Sequence, residues 1–221
     1  MQIKKYKKKF SIAVDGQSAT GKSTGSKFIS KYFDFDYLSS GKLYRYCAYI
    51  LLKKKLNCNL INIEKIAKTI TLEKLKGAKL YNKKVTGLSS KIAKKKYVRN
   101  SLKKFQIDFI KCSNFVICEG RDIGTKINPN ADLKLFFKCS YKTKAKRRLK
   151  EFKKLNNKIT LKEVEKALKE RDRDDITRKI SPLIKAKNAV LVDTTNLTKK
   201  QMEAKLIKLV KKSMHKKYGS I

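Results

Sequence analysis

One segment near the N-terminus limits what this chain can fold into more than any other. Residues 16–24 read Gly-Gln-Ser-Ala-Thr-Gly-Lys-Ser-Thr, which matches the pattern G-x-x-x-x-G-K-[ST] at every position. The apolar run 12–14 precedes the segment, and Phe28, Ile29 and Tyr32 follow it at helical spacing. This order predicts a buried strand, a phosphate-binding loop (P-loop) and an amphipathic helix, and therefore an α/β fold.

The residue types in this loop have chemical reasons. Gly16 and Gly21 permit backbone angles that point successive N–H groups at a phosphate, and the following helix N-terminus adds partial positive charge. Lys22 can reach the β- and γ-phosphates, and the Ser23 hydroxyl can ligate Mg²⁺. We predict a nucleoside triphosphate site with Mg²⁺ at the following residues: Gly16, Gln17, Ser18, Ala19, Thr20, Gly21, Lys22, Ser23 and Thr24.

Apolar runs elsewhere in the chain extend this prediction to a whole sheet. They lie at 12–14, 35–38, 115–118, 133–137 and 190–192. Because the runs alternate with helical patterns, they predict a five-stranded parallel sheet with helices on both faces. The P-loop itself leaves GTPase, ATPase and kinase open, and the absence of an N-K-x-D guanine signature argues against an ordinary GTPase.

The formal net charge of +40 has two interpretations. One is binding to nucleic acid, and the other is a coding bias toward lysine, since the lysines are spread along the whole chain. The chain has eight arginines, and because Lys and Arg total 58, fifty lysines. If lysine serves wherever positive charge suffices, the few arginines are candidates for sites that need a planar guanidinium able to make two parallel hydrogen bonds. We expect contact with nucleic acid to be non-specific.

The cysteine pattern bears on compartment and metals. Five cysteines occur without a C-x-x-C pair, and there is one histidine, so neither a disulfide framework nor a zinc site is predicted. The N-terminal segment is basic but lacks the apolar region of a secretion signal, and the longest apolar run, 46–52, is too short to span a membrane. We expect a cytoplasmic, non-membrane, monomeric protein.

Further motifs follow the P-loop in a fixed order. They are Tyr-Leu-Ser-Ser-Gly-Lys-Leu-Tyr-Arg at 37–45, Glu-Gly-Arg-Asp-Ile-Gly-Thr at 119–125, Arg-Asp-Arg-Asp-Asp-Ile-Thr-Arg at 171–178, Ser-Pro-Leu at 181–183 and Ala-Val-Leu-Val-Asp-Thr at 189–194. With these motifs the chain resembles the bacterial cytidylate kinases over residues 10–202, and the similarity thins between 56 and 96. The resemblance implies transfer of the ATP γ-phosphate to CMP or dCMP in pyrimidine nucleotide metabolism.

The same resemblance assigns roles to particular residues. As catalytic residues it implies Lys22, Arg121, Arg171 and Arg178. As CMP-binding residues it implies Ser40, Arg45, Ser90, Arg99, Arg121, Asp122 and Asp175. Guanidinium forks suit a monophosphate, and a carboxylate can accept a hydrogen bond from the exocyclic amine of cytosine.

Plainer interpretations of several of these residues stay open at this point. Residues 171–178 can form a solvated, salt-bridged helix face, although the i, i+4, i+7 spacing of Arg171, Asp175 and Arg178 places all three on one face. Arg99 can be one more surface cation, and Asp122 can simply cap a helix. Other acceptors such as UMP or AMP, and a basic P-loop RNA-binding NTPase, are alternative functions.

Two residues depart from the family pattern. Gln17 stands where the family commonly has Pro, which should cost loop rigidity, and Ser39 stands in place of the usual Asp, which should weaken acceptor binding. We predict one kinase domain over 1–221, with a core (1–55, 100–145 and 180–221), a reduced nucleoside monophosphate insert (56–98) and a helical lid (146–179).

Overall fold

The computed structural model describes residues 9–153 and 159–219, which form five strands and eight α-helices. Their bounds are β1 (Phe10–Gly16), α1 (Lys22–Phe33), β2 (Asp36–Ser39), α2 (Ser40–Lys53), α3 (Leu60–Lys68), α4 (Lys83–Ile92), α5 (Lys96–Cys112), β3 (Phe115–Glu119), β4 (Leu133–Lys138), α6 (Tyr141–Lys153), α7 (Leu161–Thr177), β5 (Val190–Asp193) and α8 (Lys199–Tyr218). Short 3₁₀ turns lie at Glu73–Leu75 and Ala78–Tyr81, and a π-helical turn lies at Ile123–Ile127.

The strands form one sheet in the order β2-β3-β1-β4-β5. The strand before the P-loop, β1, is central and pairs in parallel with β3 (Val14 opposite Glu119) and with β4 (Gly16 opposite Phe137). The prediction of a five-stranded parallel α/β sheet is confirmed. Since parallel strands end at the same edge, the loops after β1 and β3 lie side by side.

The sheet's hydrophobic core is built from alternating strand residues and from one stripe on each flanking helix. The strand β1 contributes Phe10, Ile12 and Val14 to this core, and α8 adds Met202, Leu206 and Val210 at four-residue spacing. In α1 the core residues are Ile29 and Phe33. The predicted α1 stripe is therefore partly wrong: Tyr32 is 52% exposed, because the stripe passes through the neighbouring Phe33 instead.

The described chain divides into two compact units. One contains the described residues up to Tyr37 and from Ser113 onward, and the other is Leu38–Cys112. The second unit is helical apart from the end of β2, and in it α2 packs against α4 while α3 packs against α5. The predicted division into core, insert and lid stays a prediction, and residues 154–158 of the predicted lid lie outside the described residues. Among the residues described, no helix is long and apolar enough to cross a membrane.

Candidate active site

The P-loop connects β1 to α1 through two glycines with unusual surroundings. A Cβ atom on Gly16 would lie 2.4 Å from the carbonyl oxygen of Phe137, so only glycine fits beside β4 at this point. Gly21 has φ of 86° and is the N-cap of α1. The loop therefore presents its backbone N–H groups and the α1 N-terminus at the carboxyl edge of the sheet.

Lys22 is buried and bonded within the loop. Its ammonium nitrogen donates to the carbonyl oxygen of Gln17 at 3.0 Å, and the Thr20 hydroxyl donates to the same oxygen at 3.0 Å. Burial, together with the positive charge of Arg121, lowers the pKa of Lys22 to about 7. Because phosphate charge favours the protonated amine, a triphosphate at this loop would restore the positive charge of Lys22.

The metal-binding prediction concerns Ser23 at the start of α1. The Ser23 hydroxyl donates to the Glu119 carboxylate at 2.7 Å, and the Tyr37 hydroxyl donates to the other Glu119 oxygen at 2.6 Å. A hydroxyl and a carboxylate are the hard oxygen donors that Mg²⁺ prefers, so this pair fits the predicted metal. Sequence reasoning missed Glu119: its place at the end of an apolar run is visible in the sequence, but the pairing of that strand with β1 is not.

Arg121, on the loop after β3, connects the P-loop to α7. Its side chain donates to Asp175 at 2.7 Å, to the Ser18 hydroxyl at 3.0 Å and to the Gly120 carbonyl oxygen at 3.2 Å. Arg178 donates to the other Asp175 oxygen at 3.2 Å. Burial opposes ionisation of Asp175, but the surrounding arginines outweigh it, and the Asp175 pKa lies below its usual value. Three arginines, Arg121, Arg171 and Arg178, thus favour the ionised form of the Asp175 carboxylate.

The predicted helical face of α7 is only partly right. Arg171 and Asp175 lie on α7, but the helix ends at Thr177 and Arg178 has the extended backbone of a C-cap, with ψ of 138°. The side chain still returns to the helix, because it bonds Asp175 and the Ser181 carbonyl oxygen. The positive charge of Arg171 helps lower the pKa values of both Lys22 and Asp175.

A second buried carboxylate, Asp15 at the end of β1, was not predicted from sequence. Its two oxygens accept the backbone N–H groups of Ile123 at 2.8 Å and Gly124 at 2.7 Å. Burial raises the Asp15 pKa to about 6 despite these two hydrogen bonds. The buried Asp122 starts the same turn but makes no capping hydrogen bond to it with its side chain, so the helix-cap interpretation of Asp122 is not supported.

The helical unit holds the remaining predicted CMP-binding residues. Arg45 donates to the Thr86 hydroxyl at 2.7 Å and to the Leu80 carbonyl oxygen at 3.1 Å, and the Ser90 hydroxyl bonds the Thr86 carbonyl oxygen at 3.3 Å. Thr86 therefore links two predicted site residues, although no motif in the sequence marks it. Ser40 is buried at the first residue of α2.

Arg99 is 7% exposed, which excludes its interpretation as one more surface cation. Its guanidinium donates to the Ala93 carbonyl oxygen at 3.0 Å and lies over the Tyr44 ring at 5.5 Å. The predicted site residues thus form two sets, one on each unit. Their binding and catalytic roles remain predictions.

The central P-loop strand, the parallel sheet order and the arginine–carboxylate cluster define an α/β protein of the P-loop kinase class. Solved structures share this fold at low identity. A gluconokinase from Sinorhizobium meliloti 1021 is 14% identical with a TM-score of 0.51, covering 96% of this chain and 98% of that chain. TT1252 from Thermus thermophilus is 14% identical with a TM-score of 0.54, covering 94% and 99%.

Sequence comparison narrows the class to a family. The family model described as cytidylate kinase matches residues 12–212. A cytidylate kinase of Fusobacterium nucleatum is 42% identical over 199 residues, covering 85% of this chain and 90% of that protein. A cytidylate kinase of Thermotoga maritima is 35% identical over 218 residues, covering 93% and 99%. The chain belongs to the cytidylate kinase family, which confirms the resemblance drawn from the motifs and makes it a nucleoside monophosphate kinase.

Proposed function

We propose that this protein transfers the γ-phosphate of ATP to CMP or dCMP, giving CDP or dCDP for pyrimidine nucleotide metabolism. The observation that carries the proposal is the bond from Arg121 to Ser18, since it places a guanidinium on the P-loop itself. Together with the family, that arrangement supports phosphoryl transfer at the loop rather than nucleotide binding alone. We propose further that the protein acts as a cytoplasmic monomer and meets nucleic acid only through non-specific charge attraction.

The proposed mechanism needs positioning and charge neutralisation but no general base. The phosphate of CMP is already an anion near neutral pH, so it attacks the γ-phosphorus in line without losing a proton. Lys22 neutralises the triphosphate, and Arg121, Arg171 and Arg178 stabilise the moving phosphoryl group. Ser23 and Glu119 would hold Mg²⁺, which supplies further charge neutralisation when bound. The N–H groups of the loop, residues 16–24, orient the donor, except that of Ser18, which is bonded to Asp172.

We propose acceptor-binding roles for the following residues, taken for each unit by itself. On the helical unit, Arg45 and Ser40 suit the monophosphate, and Arg99 and Ser90 suit the cytosine oxygen and ring nitrogen. Arg45 donates hydrogen bonds to Thr86 and Leu80, and Arg99 donates one to Ala93. These bonds fix the orientation of both guanidinium groups. On the sheet unit, we propose that Asp122 accepts from the cytosine amine and that Asp175 binds the ribose.

The experiment is a coupled ADP-release assay at physiological salt with Mg·ATP and a panel of CMP, dCMP, UMP, AMP and GMP. We expect clear preference for CMP and dCMP, and Lys22→Ala should abolish turnover while the protein stays folded by circular dichroism. A preference for UMP or AMP would replace the acceptor assignment but keep the kinase. Absence of turnover with every monophosphate would overturn the proposal and favour the RNA-binding NTPase.

A further inference from the structure

A buried ion pair lies beside the P-loop and has no part in the mechanism above. Lys144 on α6 and Asp172 on α7 are joined at 2.5 Å between the ammonium nitrogen and one carboxylate oxygen, and both side chains are 0% exposed. Removing two charges from water costs several kcal/mol per ion, so a pair like this is tolerated only when it is well bonded. Its bonds show what it holds in place.

Both members of the pair bond to consecutive residues of the P-loop. The second oxygen of Asp172 accepts the backbone N–H of Ser18 at 2.9 Å. Lys144 donates to the side-chain oxygen of Gln17 at 3.1 Å. The ion pair therefore connects α6 and α7 to the loop. The acceptor for the Ser18 N–H is an ionised carboxylate, which makes a stronger hydrogen bond than a neutral acceptor.

The opposite end of the same peptide group bonds to the lysine of the P-loop. The Gln17 carbonyl oxygen and the Ser18 N–H belong to one planar peptide unit. The carbonyl oxygen accepts from Lys22 and from Thr20, each at 3.0 Å, while the N–H donates to Asp172. Rotation of this peptide would break all three bonds at once, so the orientation of the Lys22 ammonium depends on the buried pair.

We infer that Asp172 and Lys144 are positioning residues for the donor site, acting through the Gln17–Ser18 peptide on Lys22. The inference rests on the proposed use of the P-loop for ATP, and it assigns neither residue a contact with substrate. Without the bond to Asp172 the peptide is free to turn, which displaces both a loop N–H and the carbonyl that orients Lys22.

Two double variants separate positioning from simple structural support. Both Lys144→Met with Asp172→Asn and Lys144→Met with Asp172→Leu remove the buried charges, and apolar replacement of a buried ion pair is often neutral for stability. Only the asparagine keeps an acceptor for the Ser18 N–H. Since Asn also buries a polar amide, the Asn variant should melt no higher than the Leu variant.

Isothermal titration with Mg·ATP, in the absence of any acceptor nucleotide, is the first measurement. We expect the Leu variant to lose about tenfold to a hundredfold in ATP affinity and kcat, the scale of loss that follows from small displacements at a site. The Asn variant should stay within about threefold of wild type, and the KM for CMP should change in neither. Equal ATP affinity in the two variants, or affinity that follows melting temperature, would overturn the inference.

The wild-type protein provides a second measurement that needs no substitution. Hydrogen exchange of the Ser18 amide should be strongly protected if its bond to Asp172 forms, and exchange at the rate of an unprotected amide would overturn the inference even if a double variant failed to fold. Wild type that binds ATP but does not phosphorylate CMP would contradict the proposed function and leave this test in force. Wild type that does not bind Mg·ATP would overturn both.

Discussion

At the scale of single residues, Gln17 shows how a departure from a family pattern is compensated. Proline at this position would restrict the backbone by fixing φ, whereas glutamine leaves it freer. The Gln17 side-chain oxygen accepts a hydrogen bond from Lys144 at 3.1 Å, which a proline could not do. We expect this hydrogen bond, which only the folded structure reveals, to offset part of the loss of rigidity predicted from the sequence.

Arg45 carries a prediction at the same scale. We expect Arg45→Lys to raise the KM for CMP by about tenfold or more with little change in the KM for ATP, because an ammonium cannot bond Thr86 and Leu80 and also present a planar fork to phosphate. Steady-state kinetics with each substrate varied separately measures this. Arg173→Lys, an exposed arginine on α7, is the matched control. Equal effects of the two substitutions would contradict the assignment.

At the scale of elements, two glycines in helices predict opposite responses to the same change. A Cβ on Gly25 in α1 would lie 2.8 Å from Leu206 and 3.1 Å from the Phe137 ring, whereas one on Gly87 in α4 would meet nothing within 4 Å. Gly25→Ala should lower the free energy of unfolding by about 1–3 kcal/mol through overpacking of α1 against α8 and β4.

Gly87→Ala should instead raise the free energy of unfolding by about 0.5–1 kcal/mol, since alanine loses less backbone entropy in an open helical position. Urea unfolding followed by circular dichroism compares both variants with wild type. A stabilising Gly25→Ala would show that α1 and α8 are not packed as closely as described.

Asp15 joins the end of β1 to the turn after β3, and its raised pKa predicts a pH dependence of stability. Its folded pKa of about 6 lies above the ordinary 3.8, so the stability that it contributes is complete below 3.8 and is lost as pH rises through 6. One pKa unit corresponds to about 1.4 kcal/mol, so the free energy of unfolding falls by about 3 kcal/mol across this range.

Asp15→Asn removes this titration and one of the two acceptors for the N–H groups of Ile123 and Gly124. The variant should therefore be markedly less stable than wild type at low pH, and the difference should narrow toward neutral pH. Urea unfolding across this range measures the effect, with the exposed Asp36→Asn as control. A difference that does not change with pH would show that Asp15 does not titrate as described.

The helices, strands and loops differ in how far they could be predicted from the sequence. The P-loop and the five strands were predictable because each depends on a local pattern of glycine or apolar residues. The bonds from Ser23 to Glu119 and from Lys144 to Asp172 were not, because they join positions far apart in the chain. Periodicity predicts strands and helices but not the order of strands in the sheet, and that order decides which side chains meet.

The charge of the whole molecule carries a prediction of its own. Every helix from α1 to α8 has an exposed lysine, so the positive charge is spread over the described surface rather than gathered into a stripe. Single-stranded RNA should bind without sequence preference and lose about 10³-fold or more in affinity between about 50 and 200 mM salt through counterion release.

Fluorescence anisotropy with labelled homopolymers across a salt series measures this dependence. CMP phosphorylation at physiological salt should be insensitive to added RNA. Tight binding that survives at that salt, or that selects one sequence, would support RNA binding as a function instead.

The central place of β1 in the sheet also affects how the chain is made. Phe10 pairs with Phe115, and Ile12 pairs with Leu133. The strands that pair with β1 are therefore synthesised more than a hundred residues after it. At about 5–20 residues per second, a ribosome needs roughly 5–20 s to make that stretch. During this time the apolar β1 residues are unpaired, while the helical segment Leu38–Cys112 has its own contacts available. The phosphate-binding loop is thus synthesised early, and we expect a nascent chain stalled before β4 to bind nucleotide poorly, because it lacks the strand that packs against Gly16.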